Sequence, residues 1–368
     1  MNPRTIRRLA TFVVVGLVVA ACGDGDGAAD GEDVVCEAGV TDADRLNFYN
    51  WSEYMDPDLV AAFEAETGVD VVESFYESNE AMLAQIQAGV TYDLIVPSDY
   101  MVGIMIEEGL LMPIQKDAVP NITNLAAEFA SPAYDPGGEY SVAYQWGTTG
   151  LGVNLAAVGD GFVESWAIVF DPELTANFPG GVSLLDDPRE TMGAALKYLG
   201  YSLNEANIDA LQEAADLIAN AKDYITTFDS DQYGAALVNG EVAVAHGYSG
   251  NMLASIWEAD DPDNFVYMVP EEGGTLWSDN MAVPVGSAAP CTAHAFIDFL
   301  LDAENGAALT NWTFYASPNE AAEAFIDPEI LEDETIYPSD ELRSRLEIIA
   351  DTGDFEINFE DYFAQAKN

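Results

Sequence analysis

The chain has 368 residues, 49% of them hydrophobic, with 65 acidic against 11 basic side chains and a formal net charge of −54. That length and apolar content supply two lobes each with its own core, while so negative a surface excludes nucleic acid as a partner, because phosphate backbones are held by Lys and Arg. Three cysteines and two histidines, His246 and His294, leave no cluster for a dedicated zinc site.

The chain opens with MNPRTIRRLATFVVVGLVVAAC, in which Arg4, Arg7 and Arg8 precede an apolar run from Leu9 to Ala21. This is the layout of a cleaved secretory signal over residues 1–21, and the run is too short for the roughly 20 residues of a membrane-spanning helix. Val19-Ala20-Ala21-Cys22 resembles the bacterial lipobox, which makes Cys22 the lipidated first residue of the mature protein. Residues 22–44 are rich in Gly, Ala and acid without an apolar period, so they read as a lipid-anchored flexible tether. In an oxidising exterior the remaining Cys36 and Cys291 suggest one disulfide pinning tether to domain, with two free buried thiols as the alternative.

From residue 45 onward, period and punctuation alternate between strand and helix. Arg45–Asn50 reads as a strand, and Asp56-Pro57 supplies a cap and a first-turn proline for a helix over 58–67 that stops at Gly68. A strand over 69–76, a helix over 80–88 ending at Gly89 and a short strand over 92–96 continue a βαβ rhythm, which predicts a parallel-rich sheet covered by helices. The pattern breaks around Gln145-Trp146-Gly147. A second αβ region follows, with helices near 191–199, 207–222 and 233–239, strands near 242–245, 265–269 and 281–285, and helices over 292–302 and 304–313.

Aromatics, hydroxyls and carboxylates gather in NWSEY (50–54), PSDY (97–100), LLDDPRE (184–190), HGYSGN (246–251), LWSDN (276–280) and at Tyr315. Strand ends in αβ sheets are where ligands sit. Such a mixture suits an amine: a buried ammonium needs an anion beside it, and Trp or Tyr faces pack methylenes while attracting the cation by about 0.5–2 kcal/mol per contact. Each segment also has a plainer structural reading. Asp187-Pro188-Arg189-Glu190 fits a helix capping box, Ser98 fits an N-cap, and Trp51 or Trp277 fits a core position.

From Leu46 onward the segments NFYNWSEY, FYESNEAML, YDLIVPSDYMV, QWGTTGLGVN, SLLDDPRE and EEGGTLWSDNMAVP resemble the spermidine/putrescine-binding proteins of bacterial polyamine ABC importers. The resemblance implies an α/β, two-lobed periplasmic-binding-protein fold of type II, with a mixed sheet flanked by helices in each lobe and the ligand between them. Residues 45–146 and 277–317 are expected to form lobe 1, and 147–276 with 318–368 lobe 2. By motif, Trp51, Ser52, Glu53 and Tyr54 correspond to the family's aromatic–hydroxyl–acid–aromatic segment, and Ser98 and Tyr100 to its Ser-x-Tyr. Asp187 and Glu190 correspond to the acid pair that holds amines, Trp277 and Asp279 to Trp-x-Asp, and Tyr315 to a cleft tyrosine. Tyr248 stands where the family shows Trp, Asn251 where some putrescine binders have Asp, and no glutamine matches around Ile348–Asp351.

The resemblance further implies a non-enzymatic, cofactor-free, monomeric capture protein on the extracytoplasmic face of the membrane, touching it only through its lipid anchor. It would close on a polyamine by hinging near Trp146 and after Trp312, then dock on an ABC permease with its ATPase subunits. Two rivals use the same residues: a receptor for another small cargo such as ferric iron or an amino acid, and a secreted glycosidase built on Asp187 and Asp279. An amino acid would demand a basic partner for its carboxylate, and Arg189 alone among these segments is basic.

Overall fold

The computed structural model describes residues 34–159 and 161–368. The expected signal segment and Cys22 lie outside the described residues. Packing begins at Cys36, inside the stretch that composition assigns to the tether. Cys36 is disulfide-bonded to Cys291 and buried against Ala118. Both Asp42 oxygens accept backbone N–H groups, from Thr292 at 2.9 Å and Cys291 at 3.2 Å, at the first turn of the helix Pro290–Leu300. An acidic, glycine-rich stretch is thus ordered by one covalent bond and one cap, neither of which shows in its hydropathy.

Nine strands form one mixed sheet in the order β2-β1-β3-β9-β4-β7-β5-β6, with β8 also on β4. They are β1 (Arg45–Trp51), β2 (Asp70–Tyr76), β3 (Leu94–Ile95), β4 (Ser141–Asn154), β5 (Val182–Leu184), β6 (Ile225–Phe228), β7 (Val244–Tyr248), β8 (Phe265–Met268) and β9 (Thr275–Ala282). The βαβ expectation holds at both ends, because β1 runs parallel to β2 and β3, and β5 parallel to β6 and β7. Between these parallel groups lie β4 and β9, antiparallel to each other from Ser141↔Ala282 to Thr149↔Thr275.

The break read at Gln145-Trp146-Gly147 is not a break. β4 continues through it for 14 residues, nearly all buried, so neither face alternates and the period that marks a strand is erased. The strand expected near 281–285 is the tail of β9, whose core-facing Met281 is its most apolar part but whose pairing begins at Thr275.

Helices cover the sheet: α1 (Pro57–Thr67), α2 (Asn79–Gln87), α3 (Asp99–Glu107), α4 (Pro188–Tyr198), α5 (Ile208–Ala221), α6 (Tyr233–Val238), α7 (Ser249–Trp257), α8 (Pro290–Leu300), α9 (Ala303–Thr313) and α10 (Glu356–Lys367). Local signals explain several boundaries. Asp56 accepts from Asp58 N at 2.8 Å before Pro57, and Gly68 closes α1 at φ 77°, a left-handed geometry that costs glycine little. In α5, Leu211, Ala214, Ala215 and Ile218 recur at helical spacing and are all buried. The carboxyl-terminal helix α10 escapes the sequence reading because its inward Phe359, Phe363 and Ala366 are diluted by acids and amides.

Hydrophobic cores form on both sides of the β4–β9 ladder. One contains Phe48, Phe63, Met281 and Phe296, with Phe63 and Phe296 edge-to-face at 4.8 Å. Across the ladder, a second contains Leu151, Trp166, Leu184, Leu211 and Phe359, and a third Trp146, Leu237, Met252 and Ile326.

Candidate functional site

The site forms where β1, β3 and β7 end and α2, α3, α4 and α7 begin, together with the middle of β9. A cavity of about 240 Å3 opens there. Ligand sites for drug-sized molecules span about 300–1,000 Å3, so this one fits a slender guest. Trp51, Ser52, Tyr54, Ser98, Tyr100, Asp187, Glu190, Tyr248, Trp277 and Tyr315 all line it.

The aromatic walls hold one another. Trp277 stands edge-on to Tyr248 at 6.0 Å and near Tyr315 at 5.2 Å, while Tyr54 meets Tyr315 at 4.9 Å. Trp51 is fixed by Nε1–H donation to Val96 O at 3.0 Å, and Trp277 by donation to Thr149 Oγ1 at 3.1 Å. The rings are therefore held in place by one another and by these two bonds.

The carboxylates are positioned by short polar chains. Asp187 caps α4, its Oδ1 accepting from Arg189 N at 2.9 Å and Glu190 N at 3.0 Å. Asp187 thus caps the helix and lines the cavity at once, with Oδ1 alone serving both cap bonds. Glu190 is no capping-box partner: its Oε1 and Oε2 take hydroxyl bonds from Thr149 at 2.9 Å and Thr275 at 2.7 Å, on β4 and β9. Burial pushes Glu190 up to about 7 against these two bonds. It also raises Asp187 well above the usual carboxylate range, helped by the charges of Glu80 and Glu190.

Two sequence-assigned acids stand off the wall. Asp279 is buried behind Ser98, whose Oγ donates to it at 2.6 Å while accepting from Asn79 Nδ2 at 2.9 Å. Burial lifts Asp279 to about 7. Glu53 is exposed, has a left-handed backbone at φ 52°, and accepts from Asn251 Nδ2 at 2.5 Å. The turn after β1 sets this carboxylate against Asn251, which lines the cavity, so Glu53 stands one residue removed from the wall.

Other residues of the cavity escaped sequence reasoning. Tyr76, Glu77, Asn79, Asp99, Asp231, Tyr233 and Ile349 line it as well. Asp99 lies between the two recognised residues of Ser98-Asp99-Tyr100, its Oδ1 bonded by Tyr100 N at 2.8 Å, and burial carries it to about 8. Tyr76 and Asn79 belong to FYESNEAML, a segment already conspicuous in the sequence. Tyr233 and Asp231 give no such signal, because they reach the cavity only once α6 packs under β7. Ile349 supplies an apolar wall at the place where no glutamine matches.

Four buried oxygens on residues of the wall, Tyr54 Oη, Ser230 Oγ, Asp231 Oδ1 and Asn251 Oδ1, have no hydrogen-bond partner. No Lys, Arg or His is among the residues that line the cavity. Its chemistry is therefore that of acceptors and π-faces awaiting a donor-rich cation. Among the described residues no three His, Cys, Asp or Glu side chains converge to hold a metal.

The sequence pattern of bacterial extracellular solute-binding proteins matches residues 58–338. The chain is 36% identical over 320 residues to the putrescine/cadaverine-binding protein of Pseudomonas aeruginosa, covering 85% of this chain and 90% of that one. It is 34% identical over 332 residues to the spermidine/putrescine-binding periplasmic protein of Escherichia coli, covering 90% and 93%. Among solved structures, the TpPotD lipoprotein of Treponema pallidum superposes with a TM-score of 0.76 at 32% identity, covering 88% of this chain and 99% of the other. A mixed sheet with parallel strands at both ends, an aromatic and acidic cavity at its strand ends and these matches along most of the sequence agree: the chain belongs to the bacterial extracellular solute-binding proteins.

Proposed function

We propose that this protein captures a polyamine of the spermidine or putrescine type and delivers it to an ABC permease. One observation carries the reading: the cavity is walled by tyrosine and tryptophan faces and by Asp99, Asp187 and Glu190, with no basic side chain on its wall. An amino acid would leave its carboxylate unpaired there, at a cost of several kcal/mol. A polyamine brings only N–H donors and methylenes, which match the unpartnered oxygens and the rings. The names of the relatives agree with this cargo.

In this reading Trp51, Ser52, Tyr54, Ser98, Tyr100, Trp277 and Tyr315 line the face offered by lobe 1, residues 45–146 and 277–317, with Asp279 acting through Ser98. Asp187, Glu190 and Tyr248 close from lobe 2, residues 147–276 and 318–368. Closure follows from contacts that the ligand makes only when the lobes meet. The protein works as a monomer without cofactor or catalysis, exported by its signal segment and held at the outer membrane face by lipid on Cys22. TpPotD, a lipoprotein by name, supports that anchor.

Titration calorimetry of the signal-free protein with spermidine, putrescine, spermine and an amino acid tests the cargo. Micromolar or tighter binding, about −8 kcal/mol, is expected for at least one polyamine and none for the amino acid. The reverse order of affinities would overturn the assignment.

A further inference from the structure

Tyr100 has one more neighbourhood besides the cavity. Its hydroxyl donates to Glu80 Oε1 at 2.8 Å, within the half of the sheet built on β1–β3. From the opposite half, the guanidinium of Arg189 stands over the same ring, with Cζ 5.7 Å from the centroid. Arg189 is almost wholly buried. Its Nη1 and Nη2 are taken by Glu356 Oε1 at 2.5 Å, Asn204 Oδ1 at 2.9 Å and Ala350 O at 3.2 Å, and Phe359 lies beneath it at 4.3 Å.

Each partner keeps one buried atom without a hydrogen bond: Nε of Arg189, a donor, and Oε2 of Glu80, an acceptor. A buried donor atom and a buried acceptor atom, each without a hydrogen bond, are costly features in a folded protein. Here they are complementary, and one aromatic ring of the cavity lies between them. Their charges already act on each other, since Arg189 lowers the proton affinity that burial raises at Glu80.

We propose that Glu80 and Arg189 are positioning residues that join across Tyr100 when ligand closes the cleft, so that their pairing holds the Tyr100 ring against the polyamine and slows release. The inference rests on the polyamine reading above. It gives each unpaired atom a partner in the loaded protein, and it explains why a cationic residue sits beside a site for cations: Arg189 never reaches the cavity wall, and its edge serves the contact between halves.

The test is a two-variant cycle in the full chain, with spermidine affinity and release rate as readouts and thermal melting of the ligand-free protein as control. In Glu80→Gln the amide oxygen still accepts from Tyr100, but its N–H₂ group repels the guanidinium edge. Arg189→Lys keeps the charge and removes Nε. Each single variant is expected to weaken spermidine binding at least tenfold through faster release, with association unchanged. The double variant should be no weaker than the weaker single one, the sign of a shared contact. The melting temperature of ligand-free Glu80→Gln should not fall, because that variant keeps the Tyr100 bond and removes a desolvated carboxylate with one unsatisfied oxygen; a purely structural Glu80 would lower it. Affinity of Glu80→Gln within twofold of the original, or effects that multiply in the double variant, overturns the proposal; Glu80→Gln alone decides it if Arg189→Lys does not fold. Absence of binding of any polyamine by the original protein would instead overturn the cargo reading and this proposal with it.

Discussion

Thr149 and Thr275 each donate to one oxygen of Glu190, so this carboxylate is aimed before any ligand arrives. Ordering cost is thereby met in folding rather than in binding. Substituting Glu190→Gln should weaken polyamine binding by more than tenfold, because removing one partner of a desolvated charge pair costs about 2–5 kcal/mol. The ligand-free melting temperature should hold or rise, since the isolated carboxyl is buried; calorimetry and a melt measured side by side check both halves. Trp277→Ala is a poorer probe. That ring is buried in the same core as Phe48 and Phe296, and its loss would cost about 3–5 kcal/mol of stability in addition to any affinity. The same double service explains what the sequence revealed. Residues that announce themselves by type, such as Trp51, Tyr54, Ser98 and Trp277, are legible, whereas Asp99 reads as a spacer and the left-handed turn at Glu53 carries no sequence mark.

At the scale of elements, the legible parts were those whose burial leaves a period. Helices α1 and α5 show it because one face stays in water, and β1 with β2 show it by βαβ alternation. β4 has no dry face and wet face to contrast, and α10 is too acidic for its three inward residues to register. The Cys36–Cys291 disulfide belongs to this scale too, for it fixes the segment preceding β1 to helix α8 across a sequence separation of 255 residues. Replacing both cysteines with serine should lower stability by about 2–4 kcal/mol through freed chain entropy in the unfolded state. Neither sulfur is near the cavity wall, so spermidine affinity should be unchanged. A melt that does not move on replacement would show that the Asp42 cap alone holds the segment.

Whole-molecule behaviour with pH follows from the cavity's acids. Burial carries Asp99 to about 8 and Glu190 and Asp279 to about 7, and raises Asp187 as well, against an unfolded carboxyl near 4. Each folded value is raised, so the native protein binds more protons than the unfolded chain between these limits. The stabilisation is complete below about pH 4 and is lost as pH climbs through 7 to 8. A polyamine reverses the balance, because it needs the deprotonated forms and expels their protons. Melts with and without spermidine should therefore show a larger ligand-induced rise at pH 8.5 than at pH 5.5. Calorimetry near pH 6 in buffers of different ionisation heat should show proton release, and affinity that stays flat between pH 5.5 and 8.5 would contradict the mechanism. Strand β4 meets β9, β7 and β8, shifts register against β9 between Ala143 and Gln145, and is further bridged at Trp146 to Ala316. In the proposed capture, opening and shutting would flex this shared ladder like a leaf spring, with a restoring force spread over many amide bonds. Neither half is a separable fragment, since any cut through the ladder would bare unpaired sheet edges in what is now interior.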